Sequence, residues 1–181
     1  MKSSGGYFSQ VLKGELVGVE IGVEAGWNAL QMLEHLNIKK LYLVDPYIGY
    51  MGKDGIEYRD GYTDVPGEEE LITSRANAKQ AAHELLEKHK DKIVWIEKTS
   101  DDALVDIPDE LDFVYIDGNH NYEYVKSDIE NYSKKIRKGG VLAGHDYNDP
   151  RHPGVTKAVH EFIKNDLDKL KLQLIDWAIQ C

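Results

Sequence analysis

Glu20 stands at the end of an apolar run, Leu16 to Ile21, which breaks into Gly22 and Gly26; a second run, Leu41 to Val44, ends in Asp45. This reads as strand, glycine turn, helix, strand, with an acid at the carboxyl end of each strand. In an open α/β sheet, ligands bind in the crevice beyond those carboxyl ends, and glycine lets backbone come close to a ligand. An acid about 20 residues past the glycine turn is placed to accept hydrogen bonds from ribose hydroxyls. The stretch Glu20-Ile-Gly22-Val-Glu24-Ala-Gly26 departs from the Gly-x-Gly-x-x-Gly of dinucleotide sites, because Glu24 stands where the second glycine belongs. A carboxylate there repels a diphosphate, and Glu20 adds a second negative charge that suits a cationic or amine-bearing ligand. The pattern points to a nucleoside that lacks phosphates.

A second set of reactive residues follows later. Asp117 closes the run Asp112 to Ile116 and precedes Gly118; His145 and Asp146 close the run Gly140 to Gly144. Adjacent strands of a doubly wound sheet would bring these three to one mouth, where two acids and an imidazole could bind a divalent cation. Magnesium prefers oxygen ligands, so His145 shifts the preference toward manganese or another first-row metal. His120 titrates near working pH and is a candidate general base; a structural histidine in the Gly-Asn-His-Asn turn is the alternative. His145 is the second base candidate if no metal is present. His152, beside Arg151 and between Pro150 and Pro153, reads as a loop residue near the mouth that could touch substrate. His35, His83, His89 and His160 fall within helical patterns and read as surface residues.

Positioning these residues requires alternating elements. Five short apolar runs, at 16–21, 40–44, 92–96, 112–116 and 140–144, have the brevity and β-branched or aromatic content of buried parallel strands. Helical patterns lie at 26–36, 73–90, 122–136 and 154–166, and in the second Ala78, Ala82, Leu85 and Leu86 share one face. Gly139-Gly140 after Lys134, Lys135, Arg137 and Lys138 reads as a helix C-terminal signal. Ser100-Asp101-Asp102 reads as a helix N-cap with acids in the first turn. Runs at 170–175 and 177–180 suggest a terminal antiparallel pair. The expected fold is therefore α/β: a Rossmann-like, doubly wound, mostly parallel seven-stranded sheet with a terminal antiparallel strand and helices on both faces. One domain over 1–181 is expected, with 46–72, rich in Gly, Asp and Tyr, as an insertion or a lid.

Composition narrows the partners. A net charge of −10, with basic residues scattered among acids, argues against a nucleic-acid surface. The single cysteine, Cys181, excludes an intramolecular disulfide, and no segment approaches ~18 continuous apolar residues. A soluble, cytoplasmic protein acting on a small molecule is expected, with no membrane partner. The first strand starts about fifteen residues into the chain, so either a partner subunit, as in a homodimer, or the 46–72 insertion is expected to cover the acceptor site.

Taken together, Glu-x-Gly-x-x-x-Gly and Asp45 resemble the class I S-adenosylmethionine-dependent methyltransferases. Asp112-Phe-Val-Tyr-Ile-Asp117-Gly118-Asn-His120-Asn-Tyr122 and Gly139-Gly140-Val-Leu-Ala-Gly144-His145-Asp146-Tyr147 are similar to the small-molecule O-methyltransferase branch, which includes sugar O-methyltransferases of macrolide and aminocoumarin biosynthesis. The likeness covers roughly residues 16–150. It implies S-adenosyl-L-methionine as cofactor, with Gly22 and Gly26 against its methionine part and ribose. It further implies Glu20 near the methionine amino group, Asp45 on the ribose hydroxyls, and Ser100 and Asp101 on the adenine edge. Trp27 and Asp117 complete the implied cofactor set. Asp117, His145 and Asp146 match positions that ligate a divalent cation, magnesium or manganese, in metal-dependent relatives, which carry an acidic pair in place of His145-Asp146. Asn119 stands where some sugar methyltransferases have a catalytic acid, so the base is expected at His120. The implied reaction is methyl transfer to a hydroxyl oxygen. An inactive cofactor-binding module and a nicotinamide-dependent oxidoreductase are the alternatives.

Overall fold

The computed structural model describes residues 8, 10–48 and 68–181. Most of the 46–72 segment expected to act as an insertion or lid lies outside the described residues.

The strands are β1 (Leu16–Ile21), β2 (Ile38–Val44), β3 (Ile93–Ile96), β4 (Leu111–Ile116), β5 (Ile136–Gly144), β6 (Leu170–Gln173) and β7 (Asp176–Gln180). Between them run α1 (Trp27–His35), α2 (Glu68–Leu86), α3 (Ser100–Ala103), α4 (Tyr122–Tyr132) and α5 (Pro153–Phe162). One seven-stranded sheet has the order β3-β2-β1-β4-β5-β7-β6. The first five strands pair in parallel, and β7 lies antiparallel between β5 and β6. The order reverses at the β1–β4 junction, so a crevice opens there beyond the carboxyl ends of both strands.

The apolar runs are nearly continuous because both faces of the sheet are covered. On β4, Phe113 and Tyr115 point to one face, with Ala29, Met32 and Leu33 of α1 and Ala82 and Leu86 of α2. Val114 and Ile116 point to the other, with Val125, Ile129 and Tyr132 of α4 and Val155, Ala158 and Val159 of α5. The small face expected on α2 is this contact: Ala82 and Leu86 are buried, and Ala78 and Leu85 are partly so.

Two local expectations are corrected. Gly139-Gly140 does not end a helix: α4 stops at Tyr132, a short helical turn covers Ser133–Lys135, and both glycines lie inside β5. There they form a bulge, since β5 advances from Ile136 to Val141 while β4 advances only from Leu111 to Phe113. Gly139 adopts φ +80 at that bulge. The cap of α3 is Thr99 rather than Ser100, its side chain accepting from the Asp102 amide at 3.3 Å. Among the described residues, no helix is long and apolar enough to cross a membrane.

Candidate functional site

The β1–α1 turn is held from two sides. The Gly22 amide donates to the Val44 carbonyl at 2.9 Å, and Gly22 has φ +84. A Cβ on Gly22 would meet the Asp117 carbonyl oxygen at 2.0 Å, so the turn is seated directly on the tip of β4. Gly26 faces Ala82 and Leu86 of α2, where a Cβ would find contacts at 3.1–3.3 Å. Its smallness therefore serves helix packing. Asp45 grips the same turn: one carboxylate oxygen accepts from the amides of Val23 and Glu24, both at 2.9 Å, and the other accepts from the Tyr47 amide at 2.8 Å. These contacts keep Glu24 at φ +46, an unfavourable value for a residue with a side chain. Trp27 opens α1 and is 66% exposed.

Glu20 is the electrostatic anomaly of this region. It is 1% exposed; Oε1 accepts from the Asn28 side-chain amide at 2.9 Å, and Oε2 is buried with no hydrogen-bond partner among the described residues. Burial pushes its pKa up to about 8 against the pull of the Asn28 bond, with the charges of Asp117 and Asp45 adding to the rise. A buried carboxylate oxygen without a partner is costly, and a ligand cation would relieve it.

Beyond the strand tips lies a cleft of about 330 Å³. It is lined by the β1 and β2 tips at Ile21, Gly22 and Val44, by Pro46 and Ile48, by Thr99, Ser100 and Asp101, and by Gly118, Asn119, Tyr124 and Asp128. Asp101 accepts from the Ser127 hydroxyl at 3.0 Å, and the Tyr132 hydroxyl donates to the Ser100 carbonyl at 2.7 Å. Apolar side chains with a few polar groups among them are the usual lining of a small-molecule site. Asp128, 3% exposed, is a lining residue that the motifs do not flag. Burial pushes its pKa up to about 7, opposed by a hydrogen bond from Ser100 and assisted by the charge of Asp101. A signal was present: Val125, Asp128, Ile129 and Tyr132 form the buried stripe of α4, and an acid on such a stripe is unusual.

The sheet also brings Asp117, His145 and Asp146 together, and adds two histidines. The backbone at Asp117 and His145 continues the ladder, with the Asp117 amide on the Ile21 carbonyl at 2.7 Å and the His145 amide on the Ile116 carbonyl at 3.1 Å. Asp146 is the hub: Oδ1 lies 3.1 Å from His145 Nδ1 and Oδ2 lies 2.7 Å from His120 Nε2. Asp117 Oδ1 is 3.5 Å from His120 Nε2 and 3.9 Å from His145 Nδ1. His145 Nε2 is 3.6 Å from Asp176 on β7, which also accepts from the Tyr115 hydroxyl at 3.1 Å. The hydrogen bond to Asp146 raises the His145 pKa to about 9 in spite of burial, with Asp117 and Asp176 contributing. Burial would raise Asp146, but bonds from His120 and His145 hold it well below the usual carboxylate range. Asp117 retains 30% exposure, yet burial still pushes its carboxyl upward against the pull of both histidines.

Other histidines differ in part from the expectation. His152 lies, as expected, in the loop before α5 beside the strand tips, but it is buried and stacks on His120 with ring centroids 4.2 Å apart. His160 and His83 are half-buried: His160 Nε2 bonds the Tyr147 hydroxyl at 2.6 Å, and His83 stacks on Trp95 at 4.0 Å.

The strand order and the acid-tipped crevice define a Rossmann-like methyltransferase fold. A family described as "Methyltransferase domain" matches residues 19–147, and the chain belongs to it. An uncharacterized protein of Acanthamoeba polyphaga mimivirus is 29% identical over 160 residues, covering 83% of this chain. The chain spans 61% of that relative's length. Among solved structures, the calicheamicin methyltransferase CalS11 is similar with a TM-score of 0.65 at 19% identity, covering 97% of this chain and 76% of its own. The O-methyltransferase NovP gives 0.63 at 19% identity, covering 96% and 74%. A Streptococcus mutans protein solved in complex with S-adenosylhomocysteine gives 0.62 at 17% identity, covering 98% and 94%. The family match makes this a methyltransferase domain, and the solved structures share its fold.

Proposed function

We propose that this chain, acting as a single catalytic domain, transfers a methyl group from S-adenosyl-L-methionine to a hydroxyl oxygen of a small molecule of the sugar class. The observation that carries the reading is the unpartnered, buried Oε2 of Glu20 at the β1 tip. It fits an ammonium such as that of the methionine moiety, whose charge would hold Glu20 ionised, and the carboxylate of Glu24 disfavours a dinucleotide diphosphate. CalS11, one of the folds it resembles, is described as a TDP-rhamnose 3'-O-methyltransferase, which favours a sugar acceptor.

Bound in the cleft, the cofactor supplies a methyl group already activated on a positive sulfur. The chain's own residues do the rest. Glu20 anchors the amino acid end, and Asp45 fixes the turn on which the ribose lies. Ser100 and Asp101 meet the edge of the base. Asp117 faces the acceptor from the β4 tip and takes the proton of its hydroxyl, because burial has made its carboxyl more basic than a surface aspartate. His145, 3.9 Å away and cationic near neutral pH, holds Asp117 ionised until it accepts the proton. Positioning two reactants in this way, without covalent chemistry by the protein, is the expected source of most of the acceleration.

Incubation with methyl-labelled S-adenosylmethionine and a panel of hydroxylated acceptors, TDP-rhamnose among them, tests the reading. Label in an alkali-stable ether supports it. Tight S-adenosylhomocysteine binding without transfer to any acceptor would identify a binding module, and label on an amine would move the chemistry to nitrogen.

A further inference from the structure

We propose that His120, Asp146 and His152 form a binding site for a first-row transition-metal ion such as zinc, cobalt or manganese. Each offers one ligand atom, and the three atoms lie within 4.8 Å of one another. His120 Nε2 and Asp146 Oδ2 are 2.7 Å apart. That separation is a charge-assisted hydrogen bond; an ion replacing its proton would open the pair to ~3.3 Å, the ligand spacing of a tetrahedral site with bonds of ~2.0–2.1 Å. His152 completes the set across a stack of two imidazoles.

The three ligands come from three separate turns that the fold holds rigidly. His120 follows the β4 tip, Asp146 follows β5 with φ +61, and His152 immediately precedes α5. Gly154 lets the first and last of these segments meet: a Cβ there would lie 2.6 Å from both the His120 carbonyl oxygen and the Tyr122 nitrogen. The loop before His152 is braced by Asp149, whose carboxylate takes Arg151 at 2.6–3.2 Å and whose carbonyl accepts from the His152 amide at 3.0 Å. Two nitrogens and one oxygen suit zinc, cobalt, iron or manganese, whereas magnesium demands oxygen ligands. The set shares only Asp146 with the expected trio of Asp117, His145 and Asp146, and it uses the carboxylate oxygen that faces away from His145. The ion would therefore sit beside the proton-accepting Asp117 without occupying it. The inference does not depend on the methyl-transfer reading.

The test titrates the chelator-treated full chain with Co²⁺ and follows the visible ligand-field bands, with Mg²⁺ as competitor. One saturable site that excess Mg²⁺ does not empty is expected. His152→Ala and His120→Ala should each weaken Co²⁺ by more than the ~10–100-fold that loss of an outer partner costs. Asp117→Ala and His145→Ala should change it less than about threefold. Gly154→Ala keeps every ligand and should also weaken binding, which guards against a His152 variant that fails to fold. No Co²⁺ site, or a site lost in Asp117→Ala and His145→Ala but kept in His120→Ala and His152→Ala, would overturn the assignment. S-adenosylhomocysteine binding measured on the metal-free samples reports on the proposed function separately.

Discussion

The backbone of Gly22 touches the backbone of Asp117: a single added methyl on Gly22 would come to 2.0 Å from the Asp117 carbonyl oxygen. The β1–α1 turn and the β4 tip are thus one mechanical unit. Their spacing is set by the β1–β4 pairing, which places Ile21 opposite Ile116.

Gly22→Ala should therefore damage both ends of the site. The left-handed backbone costs ~1–2 kcal/mol for alanine and overpacking against main chain adds ~1–3 kcal/mol. A loss of about 2–5 kcal/mol in urea denaturation is expected, with S-adenosylhomocysteine binding weakened as well. A stability loss below about 1 kcal/mol would show that the two tips can part freely.

Glu20 makes unliganded stability depend on pH. Its folded pKa is about 8 against a reference value of 4.5, so the unfolded chain releases this proton first as pH rises. Stability then declines between those two values and is unaffected by this group outside them. Glu20→Gln removes the decline and should stabilise the empty protein at pH 8 by an amount on the order of a few kcal/mol. The same variant should bind S-adenosylhomocysteine more than tenfold more weakly, whereas wild-type affinity should climb with pH up to about 8. Thermal melts and calorimetry across that range check both signs.

Asp45→Ala should destabilise the protein even without ligand. Three backbone amides lose their charged acceptor, and a hydrogen bond to a charged group contributes ~1.5–3 kcal/mol. A loss of about 2–3 kcal/mol by chemical denaturation is expected, together with weaker cofactor binding. A ribose contact alone would leave the unliganded stability untouched.

Asp117→Ala should separate chemistry from binding. Removing a general base typically costs ~10²–10⁴ in rate, and turnover should fall by at least that much, while S-adenosylhomocysteine affinity stays within about threefold. Equal losses in both would assign Asp117 to the cofactor instead.

Much of this was readable before any coordinates. Period and composition placed the five parallel strands, because a strand buried on both faces must be apolar throughout. Asp117, His145 and Asp146 were placed together by one rule, that strand ends converge in an open sheet. What spacing could not give was the partner of each polar group. Asp45 was located by its distance from the glycines, but its grip on Val23 and Glu24 depends on turn geometry. His152 is legible as a loop residue near the mouth, but its stack on His120 joins segments 32 residues apart through the close approach at Gly154, which spacing does not show. Gly139-Gly140 carried two meanings, helix end or strand bulge, and the register of β5 against β4 selects the second.

The central claim is that a buried carboxylate at the β1 tip selects an adenosine bearing a cation over one bearing a diphosphate. Calorimetric titration of wild type and Glu20→Gln with S-adenosylhomocysteine and with NADH tests it most directly. The account predicts heat with S-adenosylhomocysteine only, greatly reduced in Glu20→Gln. Binding of NADH in preference to S-adenosylhomocysteine, or S-adenosylhomocysteine affinity unchanged in the variant, would contradict it.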